Sequence, residues 1–360
     1  MANVASAETL RVATYNTEAA RKGPGLLLRD ILKGDDPQIT ALIAEIASAD
    51  PDILVLQGID YDLQNAALAA LADALEQFGA PYLHRFAAPP NGGLMTDLDL
   101  DGDGQTGGPG DAQGYGRFYG QGHIAILSRH PILTEEVQDF STLLWRDLPD
   151  ALLPTQDGQP FPSVGAQAIQ RLSSHGHWIV PIEHPDLGRI TLLTYHATPP
   201  VFDGPEDRNG KRNHDETAFW THYLNGQFGA PPDDRFILLG DANLDPTQGD
   251  GMGTAMQNLL ADPRLQDPLP DQPTVTWEQT GPMRVDYVLP SADWTVTAAA
   301  VRPQNPAVSR HSLIWVDLSR SVFLTLPGHH ATPPETVFSR SVPWPTQLCL
   351  SSPVTASAPR

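Results

Sequence analysis

The sequence predicts an α/β fold in which two packed β-sheets carry helices on their outer faces. Three observations lead to this fold class. Apolar runs with the length and β-branched composition of strands recur between residues 10 and 318. A few segments with helical spacing of apolar residues separate these runs. The strand clusters form two similar halves, as expected for two sheets that pack on each other and are covered by helices.

The first half of the chain alternates between strands and helices. Aliphatic and β-branched residues dominate the strand segments, and the helical segments repeat apolar residues every three or four positions. The predicted elements are strand 10–16, helix 38–49, strand 52–57, helix 64–78 and strand 122–128. Two long irregular segments interrupt them, a Gly- and Asp-rich loop at 89–122 that is long enough to be functional and a Pro-rich excursion at 141–165.

The second half repeats this pattern with more strands. The predicted elements are strands 167–172, 177–182 and 188–196, helix 213–228, and strands 234–240, 284–289, 295–301 and 313–318. Pro and Ser dominate from about residue 320 onward. We therefore predict a domain at 9–319, preceded by a short remnant at 1–8 and followed by a Pro/Ser-rich tail at 320–360.

Composition and charge exclude several classes of protein. The 360 residues include 22 Lys and Arg against 43 Asp and Glu, a formal net charge of −21. A chain this acidic repels phosphate backbones at long range, which disfavours nucleic acid as a partner except through local basic loops. The hydrophobic content of 40% excludes a disordered chain, and no apolar run reaches the ~18 residues of a membrane span. The single cysteine, Cys349, excludes an intramolecular disulfide and a cysteine-based zinc site.

The N-terminus carries the small residues of an export cleavage site. Ala5-Ser6-Ala7 fits such a site, although no apolar region precedes it. A disordered alanine-rich start is the other interpretation. We expect residues 1–8 to be a remnant left after signal cleavage, and the protein to be a periplasmic or secreted monomer.

Polar side chains stand at the ends of the apolar strands. A polar side chain at a strand's end is presented in a cleft, where it can meet a ligand. Each of these residues alone is more often an ordinary turn residue, so only the ordered set indicates a site. The set comprises Asn16, Gln57, His196, Asp241, Asn243, Asp286 and His311.

Seven segments resemble the endonuclease/exonuclease/phosphatase superfamily in its order, over residues 9 to about 318. This group includes deoxyribonuclease I, AP endonucleases and bacterial sphingomyelinases. The resemblance implies a four-layer αββα sandwich of two mostly antiparallel sheets, and metal-assisted hydrolysis of phosphate esters. The segments are Thr14-Tyr-Asn16, Ile53-Leu-Val-Leu-Gln57, Gly122-His-Ile-Ala-Ile-Leu-Ser-Arg129-His-Pro-Ile132, Leu193-Thr-Tyr-His196, Leu239-Gly-Asp241-Ala-Asn243, Arg284-Val-Asp286-Tyr-Val-Leu289 and Ser309-Arg-His311.

The resemblance also implies catalytic roles for five residues. His311 would be the general base, oriented by Asp286. His196 would be the general acid or a stabiliser of the phosphoryl charge. Asp241 and Asn243 would position the nucleophile and the phosphate. Two histidines with acidic partners suit the proton transfers of phosphodiester hydrolysis near neutral pH.

The metal site departs from the family pattern. The resemblance implies a divalent cation, Mg or Mn, near Asn16 and Asp241. The family places a metal-binding Glu at the position of Gly58 and an Asp at the position of Arg310. Because hard cations prefer carboxylate oxygen, we expect the usual site to be weakened or altered.

Three outcomes of this departure remain open. In the first, Asp60 replaces the missing ligand, since it lies two residues beyond Gly58 and faces the same side of an extended chain; Asp62 and Glu18 are further candidates. In the second, Arg310 binds a phosphate oxygen directly with its planar guanidinium. In the third, catalysis is lost and the sandwich binds a phosphorylated ligand without turning it over.

A separate acidic segment matches the start of a calcium loop. Acidic residues alternate and a Gly stands at the sixth position, which allows a tight turn. The twelfth position is Gly108 rather than Glu, so an EF-hand is not expected, and Asp111 is a candidate to complete the shell. A flexible acidic loop is the alternative to this structural calcium site. The predicted ligands are Asp97, Asp99, Asp101 and Asp103.

A rare basic segment follows His196, at 207–214. Arg212 within it is predicted to bind the phosphate of the substrate; a solvated loop with a helix N-cap at Asn213 is an equal alternative. We conclude that the sequence predicts an exported phosphodiesterase or a related phosphoesterase. A nuclease and a small-molecule or lipid-headgroup phosphodiesterase are not separated by these motifs.

Overall fold

The architecture is seen in a computed structural model that describes residues 9–320. Its helices are α1 (Leu26–Lys33), α2 (Pro37–Ala49), α3 (Ala66–Gln77), α4 (Val164–Ile169), α5 (Arg208–Leu224) and α6 (Thr254–Leu260). Its strands are β1 (Thr9–Asn16), β2 (Ile53–Ile59), β3 (His84–Phe86), β4 (His123–Ser128), β5 (Gln138–Asp139), β6 (Thr155–Gln156), β7 (Gln159–Pro160), β8 (His177–His184), β9 (Gly188–His196), β10 (Phe236–Asp241), β11 (Val275–Trp277), β12 (Gly281–Met283), β13 (Asp286–Pro290), β14 (Thr295–Val301) and β15 (Ile314–Ser319). The predicted remnant 1–8 and residues 321–360 of the predicted tail, with Cys349, lie outside the described residues.

Two β-sheets form the centre of the structure. The larger has the strand order β14-β15-β1-β2-β4-β3, and the smaller has the order β13-β10-β9-β8-β5. Neighbouring strands are antiparallel except for one parallel pair in each sheet, β1 with β2 and β9 with β10. A parallel pair brings two strand ends to the same edge of its sheet. This arrangement confirms the predicted pair of mostly antiparallel sheets.

Three apolar clusters separate four layers. Side chains alternate along a strand, so Val12 faces the core between the sheets while Ala13 faces α1, α2 and α3. In the second sheet Leu192 likewise faces the central core, and Leu193 packs against α5 and α6. Trp178 is completely buried in the central core. The layers therefore form the expected αββα sandwich.

Two predicted elements need correction. The strand predicted at 167–172 is wrong, because α4 covers the first half of this segment; its N-cap, Ser163, accepts a hydrogen bond from the N–H of Ala166 (3.0 Å). The helix predicted at 213–228 begins earlier, at Arg208, and ends at Leu224. Its first two turns bury polar rather than apolar side chains, so apolar spacing misses them. None of the helices in 9–320 is both long enough and apolar enough to cross a membrane.

Candidate active site

The candidate site lies where the ends of the parallel strand pairs meet. In the smaller sheet, Asp241 at the end of β10 is in register with His196 of β9 and with Asp286 of β13. In the larger sheet, Asn16 at the end of β1 is in register with Gln57 of β2. Asn16 Nδ2 donates a hydrogen bond to Asp241 Oδ2 (2.7 Å), which joins the two sheets at this edge. The structure thus brings the predicted strand-end residues together.

Asp241 lies at the centre of this cluster and is completely buried. Its Oδ2 atom is 3.5 Å from His196 Nε2, and its Oδ1 atom accepts a hydrogen bond from the N–H of Asn243 (2.8 Å). Asn243 adopts a left-handed φ of 48°, and its Nδ2 donates to the carbonyl of Ala197 (2.9 Å). Burial, and then the charge of Asp286, raise the pKa of Asp241 above its ordinary range. The site therefore favours a proton or a positive group beside this carboxylate.

His311 and Asp286 form a hydrogen-bonded pair. His311 Nδ1 lies 2.9 Å from Asp286 Oδ2 and 3.9 Å from Asp241 Oδ2. Burial alone would lower the pKa of His311, but the charges of Asp286 and Asp241 outweigh burial and raise it to about 9. Asp286 Oδ1 is buried and has no hydrogen-bond partner among the described residues. The pair fixes the imidazole through Nδ1 and leaves Nε2 to meet water or substrate.

His196 stacks on a second histidine that the sequence reasoning missed. The rings of His196 and His175 lie 4.0 Å apart with an interplanar angle of 13°. His175 Nδ1 lies 3.1 Å from the carbonyl oxygen of His196, which fixes the ring. Burial, and then the neighbouring histidines, lower the pKa of His196 well below its ordinary value. His175 precedes β8 instead of following a strand, so the search at strand ends passes over it.

A polar face of α5 holds the loops that carry these residues. Asn213 Nδ2 donates to the carbonyls of Thr198 (2.7 Å) and Ala242 (2.8 Å), so one side chain ties the loop after β9 to the loop after β10. The carboxylate of Glu216 accepts hydrogen bonds from the N–H groups of Ser174 (2.5 Å) and Thr198 (2.7 Å). Burial raises the pKa of Glu216 to about 7. Sequence reasoning missed Glu216, because no local pattern predicts that it is buried.

Arg212, predicted to bind substrate, belongs to the same buried face of α5. Only 4% of it is exposed, and its guanidinium braces the chain that precedes β8. This geometry does not present Arg212 to a phosphate, in contrast to the sequence prediction. Asn213 lies inside the helix and is not its N-cap. The hydrogen bonds of Arg212 go to the carbonyls of Leu172 (2.9 Å), Gln113 (2.6 Å), Arg171 (2.8 Å) and Ser173 (3.1 Å).

Gly58 lies where the resemblance implies a metal-binding Glu. Its φ is +71°, and a Cβ atom on it would lie 2.8 Å from Asn16 Oδ1 and 2.9 Å from the backbone nitrogen of Glu18. Asn16 Oδ1 accepts a hydrogen bond from that same N–H (3.1 Å). A side chain at position 58 would therefore be strained by its backbone and crowded by Asn16 and Glu18.

Arg310 forms an ion pair with Glu18 at the rim of the site. Arg310 Nε donates to Glu18 Oε1 (2.8 Å), Nη2 donates to the same oxygen, and the backbone N–H of Arg310 donates to Oε2 (2.8 Å). Ser309 Oγ also donates to Oε2 (3.2 Å). The guanidinium lies over the ring of Trp277 (4.4 Å), which meets the ring of His311 edge-on at 5.4 Å. Arg310 is thus anchored beside His311, and Trp277 is a further residue that the sequence reasoning missed.

Asp60 and Asp62, the predicted replacement ligands, stabilise loops in this structure. Asp60 Oδ2 accepts a hydrogen bond from the N–H of Arg21 (2.9 Å), and Oδ1 accepts one from the N–H of Gly122 (3.1 Å). Both oxygens of Asp62 accept hydrogen bonds from the N–H of Ala67. Neither carboxylate belongs to the acidic cluster at the strand ends. This arrangement does not support the prediction that Asp60 ligates a metal.

The predicted calcium loop gathers three of its four aspartates. Asp99, Asp101 and Asp103 each bring one carboxylate oxygen within 4.8 Å of the others, whereas Asp97 does not belong to this group. Asp111 uses both oxygens to accept hydrogen bonds from N–H groups of its own loop. Calcium binding at this loop stays a prediction.

The donor set at the strand ends fits a divalent cation only in part. Asp241, Asp286 and His311 bring one ligand atom each within 4.8 Å, and this acidic group could hold a cation. His311 Nδ1 lies at hydrogen-bond distance from Asp286 Oδ2 (2.9 Å), so a cation bound through Nδ1 would replace this hydrogen bond. The carboxylates implied at positions 58 and 310 are replaced by Gly and Arg. The residues present therefore do not fit a magnesium or manganese ion at the position that the resemblance implies.

The four-layer fold and the order of these residues along the chain are typical of phosphoester hydrolases. The sequence profile of the Endonuclease/Exonuclease/phosphatase family matches residues 13–311, and the chain belongs to this family. Enzymes of the family are phosphoric ester hydrolases that use divalent metals. No curated protein sequence matches the chain.

Solved structures share the fold. An endonuclease/exonuclease/phosphatase from Beutenbergia cavernae has a TM-score of 0.55 and 20% identity, covering 87% of this chain and 72% of that chain. A family protein from Leptotrichia buccalis has a TM-score of 0.51 and 19% identity, covering 86% and 99%. Beta toxin from Staphylococcus aureus, a structure with bound magnesium ions, has a TM-score of 0.50 and 13% identity, covering 87% and 100%. At these identities the likeness shows the fold alone.

Proposed function

We propose that this protein hydrolyses a phosphodiester by direct attack of water. The observation that carries the proposal is the His311–Asp286 pair, which lies beside Asp241 and shares that carboxylate with His196. Such a reaction needs a base for the water, an acid for the leaving alkoxide and groups that stabilise the phosphoryl charge. Membership of a family of phosphoric ester hydrolases supports the reaction class.

We assign the general base to His311. Asp286 holds its Nδ1 side, so Nε2 is the atom that takes the proton from water. A pKa raised to about 9 means that His311 carries a proton at neutral pH in the resting site. The base is then the minor, deprotonated form, and the proposal requires turnover to increase as the pH rises toward 9.

We assign stabilisation of the phosphoryl charge to His196, the second of the two roles that the resemblance implies for it. Its lowered pKa keeps the ring neutral at neutral pH. A neutral ring donates a hydrogen bond but does not release a proton, so the leaving alkoxide takes its proton from solvent water. The Nε2 atom of His196 lies on the side of Asp241 and is the donor that reaches the cluster (3.5 Å). Asp241, Asn243 and Asn16 then position the water and the phosphate around these two rings.

A divalent cation, when bound in enzymes of this family, neutralises charge on the phosphoryl oxygens. The resemblance implies Mg or Mn here, and Gly58 and Arg310 leave the expected position without its carboxylates. Every step assigned above is carried by side chains of this chain.

The substrate class remains divided between a nucleic acid and a small or lipid-derived phosphodiester. The net charge of −21 favours the small or lipid-derived ester, because it repels a polyanion. Export to the periplasm or outside the cell is likewise a proposal, supported by the Ala5-Ser6-Ala7 segment. Nicking of supercoiled plasmid, assayed beside a panel of small phosphodiesters, separates the two substrate classes.

Turnover of bis(p-nitrophenyl) phosphate tests the catalytic assignment. H311A removes the proton-transfer group and H196A removes a hydrogen-bond donor to the phosphoryl charge, so each should lose at least ~10²-fold in kcat. H222N, a histidine change near the end of α5 and outside the cluster, should retain wild-type turnover and serves as the matched control. Wild-type protein without turnover on any ester, with or without Mg²⁺ or Mn²⁺, would refute the enzyme. If H311A then still binds a phosphate ligand, this would favour a protein that binds a phosphorylated ligand without hydrolysing it, the alternative that Gly58 and Arg310 also suggest.

A further inference from the structure

The rim of the site carries a fixed positive group where the family pattern implies metal-binding carboxylates. Arg310 is that group, and it directly precedes His311 in the chain. Trp277 contacts both residues, with the guanidinium 4.4 Å from the ring centre and the imidazole edge-on at 5.4 Å. The charge of Arg310 therefore lies close to the proposed general base.

Glu18 is the carboxylate next to this position, and its oxygens are fully engaged. Oε1 accepts from Nε and Nη2 of Arg310, and Oε2 accepts from the backbone N–H of Arg310 and from Ser309 Oγ. Burial would raise the pKa of Glu18, but the hydrogen bonds from Arg310 outweigh burial and lower it. A cation could ligate Glu18 only by displacing the guanidinium.

The guanidinium keeps one edge available. Glu18 occupies the Nε and Nη2 edge, and Nη1 makes no hydrogen bond to the described residues. The side chain of Arg310 is 63% exposed. The outer edge, formed by Nη1 and the second hydrogen of Nη2, matches two oxygens of a phosphate group.

Glu18 also connects Arg310 to the strand-end cluster. The N–H of Glu18 donates to Asn16 Oδ1 (3.1 Å), and Asn16 Nδ2 donates to Asp241 Oδ2 (2.7 Å). The guanidinium is thus held on one side by the carboxylate of Glu18 and on one face by Trp277. An anchored guanidinium loses little freedom when it binds a ligand, and this favours its use in recognition.

We propose that Arg310 takes the place of a divalent ion at this rim: its guanidinium binds the phosphoryl oxygens of the substrate, and Glu18 is the positioning residue that holds it. The idea deepens the proposed phosphodiester hydrolysis and rests on it. Turnover then needs no divalent cation, because side chains of this chain carry every assigned step.

Metal binding gives a test that needs no turnover. R310D replaces the ion pair by two facing carboxylates, and it should bind Mn²⁺ about tenfold more tightly than the wild type, measured by electron paramagnetic resonance of free Mn²⁺. R189D is the matched control, because Arg189 is also a surface arginine paired with a glutamate, Glu136 (2.6 Å). The predicted calcium loop with Asp99, Asp101 and Asp103 is present in the wild type, R310D and R189D, so it contributes equally to Mn²⁺ binding in all three proteins. A gain in R310D no larger than in R189D would overturn the proposal.

Turnover gives the second arm. Wild-type hydrolysis of bis(p-nitrophenyl) phosphate should persist in EDTA. The rate of this hydrolysis should fall about 10²-fold in R310A, as expected when a hydrogen-bond donor to the phosphoryl oxygens is lost. R310K keeps the charge but not the planar edge, so its rate should lie between those of R310A and the wild type. E18Q should raise KM more than it lowers kcat. Turnover abolished by EDTA and restored by Mn²⁺ would overturn the proposal. A wild type inactive under all conditions would instead refute the proposed function, and the Mn²⁺ comparison alone would then decide whether Arg310 fills a cation position.

Discussion

Replacing Asp286 with Asn tests whether this carboxylate sets the protonation of His311. In the native protein, His311 Nδ1 lies 2.9 Å from Asp286 Oδ2. Asn has the shape of Asp and keeps a carbonyl acceptor near Nδ1, but it carries no charge. The charge of Asp286 is the largest effect that raises the pKa of His311, ahead of Asp241, while burial acts in the opposite direction. We therefore expect the pKa of His311 in D286N to fall well below about 9.

The magnitude follows from the difference between the two pKa values. A rise from 6.5 to about 9 corresponds to ~3 kcal/mol of preference for the protonated ring, since one pKa unit is ~1.4 kcal/mol. Because the folded-state pKa lies above the unfolded value, this stabilisation is fully present below pH 6.5 and is lost as the pH rises through about 9. D286N should therefore lose up to ~3 kcal/mol at about pH 6 and much less at about pH 10.

The assay is a titration of ¹³C-labelled histidine by NMR, with the His311 signal assigned by its absence in H311Q. Urea denaturation at the two pH values measures the free energy of unfolding alongside. If the pH dependence of kcat reports the same ring, its rising limb should move to lower pH in D286N. An unchanged His311 pKa in D286N would refute the electrostatic reasoning, and a stability loss equal at both pH values would show that Asp286 acts through packing.

Two further predictions concern the structure that supports the site. G58A should destabilise the protein by ~2–3 kcal/mol, because its Cβ would combine a positive φ with contacts to Asn16 and Glu18. G104A, with a φ of +82° but open space around it, is the control and should cost only ~1 kcal/mol; equal losses by urea denaturation would contradict the crowding. N213A should cost ~2–3 kcal/mol and lower kcat, since it leaves two buried carbonyls unpaired in the loops after β9 and β10. A variant with wild-type stability and kcat would exclude this bracing role.

The core strands of the sheets and the polar residues at their ends can be predicted from the sequence, because both depend on local patterns. β1, β9 and β10 are apolar runs that end in polar side chains, and Gln57 lies two residues before the end of the apolar β2. A local run is enough to predict a strand. Parallel pairing then brings Asn16 and Gln57 to one edge, as it does His196 and Asp241. The family resemblance adds the four-layer αββα arrangement, which periodicity alone does not specify.

The remaining features depend on contacts between distant parts of the chain. The basic segment around Arg212 predicts an exposed side chain. Only the packing of α5 against the loop before β8 shows that Arg212 is buried. Asp60 has the right spacing for a ligand, but N–H groups from two other segments use its oxygens. Glu18 and Arg310 are 292 positions apart, and no local pattern indicates that they pair.

The departures at positions 58 and 310 are parts of one local arrangement. Without a side chain at Gly58, the backbone of Glu18 approaches within the distance that a Cβ would occupy. The carboxylate of Glu18 lies beside Arg310, and an aspartate at position 310 would face it with a like charge. We expect a glutamate at position 58 alone to crowd the backbone of Glu18, which is the partner of Arg310. An aspartate at position 310 alone would place a second carboxylate beside Glu18, while position 58 would still lack one. Only a change at both positions, with movement of the Glu18 backbone, would rebuild the ligand set that the family pattern implies.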